Sequence, residues 1–253
     1  MRSAAAGRAV FGGSAIFFGA IALAWHDPQT WQTLFRIRSV PLGALAGDVL
    51  MLAQVVGGIA LITPKTARAG AVLLGVVYAL FAIICASAIA AAPRSFDPYD
   101  SFFEQVSLVS GALALLSRSA IARIGLACSA ASFAVAQIVY FRFTAELVPA
   151  WIPPSPTFWA AATTLAFVLA ALALLLDRRA ALAARAMALM TGIFAVLVWI
   201  PRMIAHPNAH TEWSEGALTL LITGAALCVG ERCASELSVV DAIDRPEHEG
   251  NLA

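Results

Sequence analysis

The sequence consists mainly of long apolar runs, which are separated by short segments rich in polar residues, glycine or proline. A hydrocarbon core about 30 Å thick requires roughly 20 mostly apolar residues in each helix that crosses it. Because the runs are continuous and do not alternate with polar residues, they exclude a transmembrane barrel of β-strands. The runs and their breakers predict an all-α membrane protein with eight transmembrane helices, near residues 9–25, 42–62, 69–92, 101–117, 121–141, 156–176, 181–205 and 213–230.

The two halves of the chain resemble each other. The segments SFDPYDSFFEQVSLVSGALAL (95–115) and HPNAHTEWSEGALTLLITGAAL (206–227) each carry an aromatic residue two positions before a glutamate. Since each half contains four predicted helices, both halves should enter the membrane in the same orientation. We therefore predict two parallel four-helix repeats, at 8–118 and 120–230, related by a pseudo-two-fold axis along the membrane normal. A polar tail at 231–253 follows them.

Composition supports this prediction and limits the partners. Hydrophobic residues make up 61% of the chain and charged residues only 12%, which is too apolar for a soluble globular domain. The net charge is +1 and no basic patch of useful length occurs, so we expect the lipid bilayer as a partner and not nucleic acid. The cysteines include no C-x-x-C pair, so we expect no metal site and interpret them as small packing residues, at positions 85, 128, 228 and 233.

The distribution of Lys and Arg predicts which side of the membrane each connection faces. Nine basic residues fall at the N-terminus and in the turns near 63–68, 118–123 and 177–185, whereas the opposite side holds five, at positions 36, 38, 94, 142 and 202. Both termini should therefore be cytoplasmic, and we interpret the first apolar run as a retained helix and not as a cleaved signal peptide. We expect the polar tail to be mostly disordered.

The second half carries a recognisable pattern. Pro201 and Arg202 end its third predicted helix, a segment with proline and histidine follows, and Trp-x-Glu comes next at 213–215. With this pattern, residues 151–227 resemble the DoxX family of bacterial membrane proteins, and the first half resembles that family more faintly. The resemblance implies a four-helix unit of the bacterial inner membrane, doubled in this chain. Some members or relatives are associated with thiosulfate:quinone oxidoreduction or membrane redox complexes, which implies a quinone and a redox protein partner.

Two glutamates, Glu104 and Glu215, occupy the same position in the two repeats, within the first turns of a predicted helix. A carboxylate near a helix start is stabilised by about 0.3–1 kcal/mol, so a purely structural role is one interpretation. The other interpretation is a pair of carboxylates that face the bundle interior, with Arg202 or Arg142 as the basic partner of one of them.

Other polar residues in or beside the predicted helices should be partnered. Asp48 lies roughly 9 Å into the second helix, where a buried position away from lipid is expected. For Gln54 and Gln137 we expect interhelical hydrogen bonds. His206 and His210 are four residues apart, but the proline and asparagine between them disfavour a helical metal site. Proton acceptance or headgroup contact is the better interpretation of these histidines.

Three functional hypotheses follow. In the first, the chain is a subunit of a redox or quinone-linked system, with an outer pocket for a quinone head or a small anionic substrate, formed by Glu104, Glu215, Arg202, Trp213 and Tyr140. The second is a small-solute or proton transporter that uses Asp48, Glu104 and Glu215 between the repeats. The third is a non-catalytic membrane scaffold, and a homo-oligomer is compatible with each. Because the sequence contains no nucleotide-binding, serine-hydrolase or haem-attachment signature, it assigns no catalytic residue.

Overall fold

The computed structural model describes residues 3–25, 41–117 and 120–243, and every regular element within them is helical. Apolar runs form helices because lipid offers no partner for backbone N–H and C=O groups. The described helices are α1 (Ser3–Trp25), α2 (Gly43–Ile62), α3 (Ala67–Ala91), α4 (Asp97–Leu116), α5 (Ala120–Val139), α6 (Phe141–Leu147), α7 (Pro156–Leu175), α8 (Ala180–Phe194), α9 (Ile200–Ala205) and α10 (His210–Ile243). A π-helical turn (Ala195–Trp199) joins α8 to α9.

Seven helical segments in the described part of the chain are long and apolar enough to cross a membrane. They are α1, α2, α3, α5, α7, the continuous α8–α9 segment and α10. The remaining predicted span, α4, has 20 residues and is therefore about 30 Å long, but it carries acidic residues near its start. The short helix α6 was not predicted. The chain is thus an all-helical, multi-pass membrane protein with seven apolar spans among its described residues.

The long helices pack side by side in chain order, and α4 and α10 lie at the centre of the bundle. Helix α1 packs against α2, α2 against α3, and α3 against α4. The same order recurs from α5 to α7, from α7 to α8, and from α8 to α10. In addition, α4 packs against α5, α10 packs against α1, and α4 and α10 pack against each other. Each of the two central helices therefore has long helices on several sides.

Small residues bring several helices into backbone contact, as expected from their distribution in the sequence. A Cβ atom on Gly58 of α2 would lie 2.5 Å from the carbonyl oxygen of Gly12 on α1. A Cβ atom on Gly111 of α4 would lie 2.6 Å from the Cα atom of Ala225 on α10. These helix pairs can approach so closely only because glycine, which has no side chain, stands at each crossing point.

The last helix is longer than predicted. Helix α10 continues to Ile243, so the expectation of a disordered tail is wrong up to that residue, and the rest of the tail lies outside the described residues. Two polar contacts hold the extension in place. The carboxylate of Glu231 accepts a hydrogen bond from the backbone N–H of Gly7 at 3.1 Å. The guanidinium of Arg232 donates to the carbonyl oxygen of Ala114 at 2.7 Å.

Two adjacent glycines of α1 provide a matched test of the close packing. We predict that Gly12→Ala lowers the free energy of unfolding by about 1–3 kcal/mol, because the added methyl group would lie 2.8 Å from the carbonyl oxygen of Gly58. Gly13→Ala should be neutral or raise stability by up to about 1 kcal/mol, since a Cβ there meets nothing within 4 Å. Thermal unfolding in one detergent measures both. Equal effects of the two substitutions would contradict the packing of α1 on α2.

Candidate functional site

A cavity of about 450 Å³ lies between α5, α7, α8 and α10 and extends to the start of α4. Pockets for small molecules usually have volumes of about 300–1,000 Å³. Most of the wall is apolar, and its aromatic side chains are Phe133, Tyr140, Phe143, Trp159, Phe167, Phe194 and Trp199. Apart from the Tyr and Trp side chains, the polar groups of the wall come from Asp100, Glu104, Gln137, Thr144, Thr163, Thr191 and Thr219. The cavity is therefore suited to an apolar ligand with a small polar head.

The start of α4 supplies the acidic side of the cavity. Asp97, Asp100 and Glu104 are spaced by three and four residues, so they project from one face of the helix. Pro98 stands in the first turn, where its fixed backbone angle suits a helix start. The carboxylates of Asp97 and Asp100 lie in the first turn, where they oppose the positive end of the helix. Asp100 and Glu104 reach the cavity, while Asp97 is exposed at the end of the bundle.

Glu215 of α10 meets this acidic face across the central helix pair. The carboxyl groups of Asp100, Glu104 and Glu215 lie close enough for their charges to interact. Both glutamates are half-buried. The structure thus brings together the two glutamates that the repeat singled out, and it adds Asp100. The sequence signal that could have identified Asp100 is its spacing of four residues from Glu104.

Tyr140 stands at the edge of the cavity, in the connection between α5 and α6. Its hydroxyl donates a hydrogen bond to the carboxylate of Asp97, and its ring lies 6.5 Å from the ring of Phe96. The hydrogen bond to Asp97 raises the pKa of Tyr140 above its usual value. The hydroxyl therefore remains a proton donor at neutral pH and above.

The arginines that were expected beside the glutamate pair bind other carboxylates. Arg202 donates from Nε and Nη2 to the two carboxylate oxygens of Glu212, at 2.6 and 2.7 Å. Arg142 pairs with Glu146, one helical turn further along, at 3.1 Å. The expected pairing of either arginine with the glutamate pair is not observed. A short turn joins α9 to α10, so the first acidic residue of α10 meets Arg202 and forms a bidentate pair with it.

Several predicted site residues lie away from the cavity. The ring of Trp213 packs against Trp25 of α1, with ring centroids 6.2 Å apart. His210 is buried and stacks on the same Trp25 at 5.2 Å, whereas His206 is exposed in the turn before α10. The two imidazoles therefore do not form a joint site. Asp48 is half-buried on α2, a helix that does not border the cavity.

The two glutamines of the predicted spans differ in their partners. The side-chain oxygen of Gln137 on α5 accepts hydrogen bonds from Thr163 and Thr164 of α7, at 3.2 and 2.9 Å, which confirms the expected interhelical contact. Gln54 is fully buried, but neither its Nε2 nor its Oε1 has a hydrogen-bond partner, so the expectation for this residue is wrong. It faces Gly19 of α1, where the neighbouring surface is helix backbone whose polar groups bond within the helix.

One wall of the cavity contains a backbone feature that hydrophobic periodicity does not reveal. In the π-helical turn after α8, the N–H of Ile200 bonds to the carbonyl of Ala195, five residues earlier. Pro201 follows, and it has no N–H to give to the carbonyl four residues before it. Turns of this kind occur frequently at functional sites. This one contributes three lining residues, Leu197, Val198 and Trp199.

Comparisons with known proteins identify no relative of this chain. No protein-family model, curated protein or solved structure matches the chain. The resemblance to the DoxX family therefore rests on the sequence pattern alone.

Substitutions of two glutamates in the same region should affect the stability of the fold differently. We predict that Glu104→Gln leaves the unfolding temperature unchanged or raises it, because it removes a carboxyl group that interacts with two others of the same sign. Glu212→Gln should destabilise the fold by about 1.5–3 kcal/mol, since it weakens the charged hydrogen bonds to Arg202. Thermal unfolding in detergent at neutral pH compares the two variants. A loss in Glu104→Gln as large as that in Glu212→Gln would contradict this arrangement of charges.

Proposed function

We propose that this chain is a membrane subunit of a quinone-linked redox system and binds a quinone or quinol in the cavity between α4, α5, α7, α8 and α10. The observation that carries the proposal is the combination of a largely aromatic and aliphatic cavity with carboxyl groups at one end. A quinone ring is flat and apolar with two polar oxygens on its edge. Aromatic walls suit the ring, and the polar groups of Asp100 and Glu104 suit the oxygens.

The carboxyl groups have a chemical role in this proposal. Quinol oxidation releases protons and electrons, and a positioned carboxylate can accept a proton from the quinol hydroxyl. Electrons pass to a carrier, such as a haem or an iron–sulfur cluster, on a redox partner protein. The four cysteines of this chain are free, and none of them lines the cavity. The chain therefore contributes ligand binding and proton acceptance.

The geometry favours this function over the alternatives. A small anionic substrate would need a basic group, but the arginines near the site already pair with Glu212 and Glu146. A transporter would need a polar path toward the opposite end of the bundle. The cavity instead borders the apolar side chains of Phe167 and Ile222, and Asp48 does not line it.

The architecture supports a duplicated unit. We infer that α1–α4 and the series α5, α7, α8 and α10 are two four-helix repeats, and that α4 completes eight spans. The matching order of helix contacts in the two series supports this inference. In α4, the acidic residues are tolerated because the helix lies at the centre of the bundle.

The place of the protein in the cell is part of the same proposal. The pattern shared with the DoxX family suggests the bacterial inner membrane. The distribution of basic residues favours cytoplasmic termini, although four of the counted residues lie outside the described part of the chain, at positions 2, 36, 38 and 118.

A pair of alanine substitutions tests quinone binding. Ala136 of α5 lines the cavity, whereas Ala161 of α7 is exposed on the outside of the bundle. We predict that Ala136→Trp, which fills the cavity, weakens binding of a ubiquinone analogue with a ten-carbon tail by at least about tenfold, a loss of roughly 1.4 kcal/mol. Ala161→Trp should bind like the wild type. Equilibrium binding of the radiolabelled analogue to protein in lipid nanodiscs measures both.

Two results would contradict the proposal. If the wild type does not bind the analogue above the level of empty nanodiscs, the quinone assignment is wrong. If Ala136→Trp and Ala161→Trp bind it equally well, the ligand does not occupy this cavity. Thermal unfolding of each variant serves as the control for a correct fold.

A further inference from the structure

We infer that the ligand of this cavity enters sideways from the bilayer, through an opening between α7 and α8 at Trp159 and Ile193. This inference rests on the proposed function and adds the route of access to it. Both residues line the cavity, and both side chains are exposed, Trp159 by 37% and Ile193 by 45%. Ile193 also continues the row of exposed side chains formed by Leu189, Val196 and Ile200 along its span. A side chain that contributes to both surfaces marks a place where the cavity wall is one residue thick or open.

The depth of Ile193 identifies what lies outside the opening. The continuous α8–α9 span covers Ala180 to Ala205. At 1.5 Å per residue, Ile193 lies roughly 20 Å from one end of this span and roughly 18 Å from the other. This position is close to the middle of a hydrocarbon core that is about 30 Å thick. The opening therefore extends from Trp159, in the first turn of α7, to Ile193, where it faces acyl chains and not water.

The surface around the opening is apolar on both helices. The exposed side chains along α7 include Leu165, Leu169 and Leu172, and those along α8, the π-helical turn and the start of α9 include Leu189, Val196 and Ile200. A polar or charged ligand would have no favourable approach across this surface. A bilayer-dissolved molecule with an alkyl or isoprenoid tail would approach it readily.

An irregular backbone segment lies next to the opening. The π-helical turn begins two residues after Ile193 and shifts the hydrogen-bond register of the span by one residue. Pro201 then prevents the usual helical hydrogen bond at its own position. Leu197, Val198 and Trp199 in this turn face the cavity. The irregular segment thus forms part of the cavity wall beside the opening.

The exposed residues Tyr140 and Phe143 define the competing route. They line the cavity where α5 ends and α6 begins, so entry beside them would come from the membrane surface. The two routes make different predictions for molecules with and without a tail. A tailed quinone is confined to the bilayer and must use the opening at Ile193. A quinone ring without a tail is water-soluble and can reach the cavity beside Tyr140.

The experiment measures exchange rates in vesicles that contain the full chain. Rapid filtration follows the association and dissociation of a radiolabelled quinone with a ten-carbon tail and of the same ring without a tail. The variants are Ile193→Trp, which obstructs the opening, Ile193→Ala, which widens it, and Leu189→Trp as the control. Leu189 lies one turn from Ile193 and is 67% exposed, but it does not line the cavity.

We expect Ile193→Trp to slow association of the tailed quinone by about tenfold. Because Ile193 also lines the cavity, any change that the substitution causes in affinity should appear in the Kd of the tail-less ring as well, which serves as the reference. Ile193→Ala should accelerate association of the tailed quinone, Leu189→Trp should leave it unchanged, and no variant should alter the association rate of the tail-less ring. Unchanged rates for the tailed quinone in both Ile193 variants, or equal slowing of the tail-less ring, would overturn lateral entry. If the tailed quinone fails to bind the wild type at all, the proposed function itself is wrong.

Discussion

The structure depends on the close crossing of α4 and α10. Gly111 and Ala225 meet at this crossing with no room for a further carbon atom between the helices. The crossing joins the two helix series, because α4 also packs on α3 and α5 while α10 packs on α1 and α8. It also determines the chemistry, since the same two helices carry Glu104 and Glu215. Their carboxyl groups are neighbours because the backbones are in contact.

The central position of α4 accounts for its unusual composition. An acidic residue at the centre of a lipid-facing helix costs about 2.5–3.5 kcal/mol on insertion scales, and α4 carries three acidic residues in its first half, so it is poorly suited to face lipid. Its neighbours remove most of this cost by surrounding it with protein. The apolar residues that lipid requires are instead on α2, α3, α5, α7 and α8, where many leucine, valine and isoleucine side chains are exposed. A cluster of carboxyl groups can therefore stand beside an apolar cavity within a membrane protein.

Hydrophobic runs predicted the positions of the helices, because in lipid the length of a span follows directly from the thickness of the hydrocarbon core. The similarity between the two halves of the sequence indicated Glu104 and Glu215 as candidates, and the structure places their carboxyl groups close together. The cavity could not be predicted in this way. It arises from side chains of six helices and from a π-helical turn whose hydrogen-bond register cannot be predicted from the pattern of apolar residues. Charge alone also could not predict that Arg202 pairs with Glu212, because this pairing depends on the short turn between α9 and α10.

Photoaffinity labelling can determine whether a quinone occupies this cavity. An azidoquinone with a ten-carbon tail would be added to the protein in nanodiscs, irradiated, and the labelled peptides identified by mass spectrometry. The account predicts labels on the cavity walls of α5, α7 and the α8–α9 segment, suppressed by excess unlabelled quinone. Labels confined to α2 and α3, or labels that competition does not suppress, would contradict it.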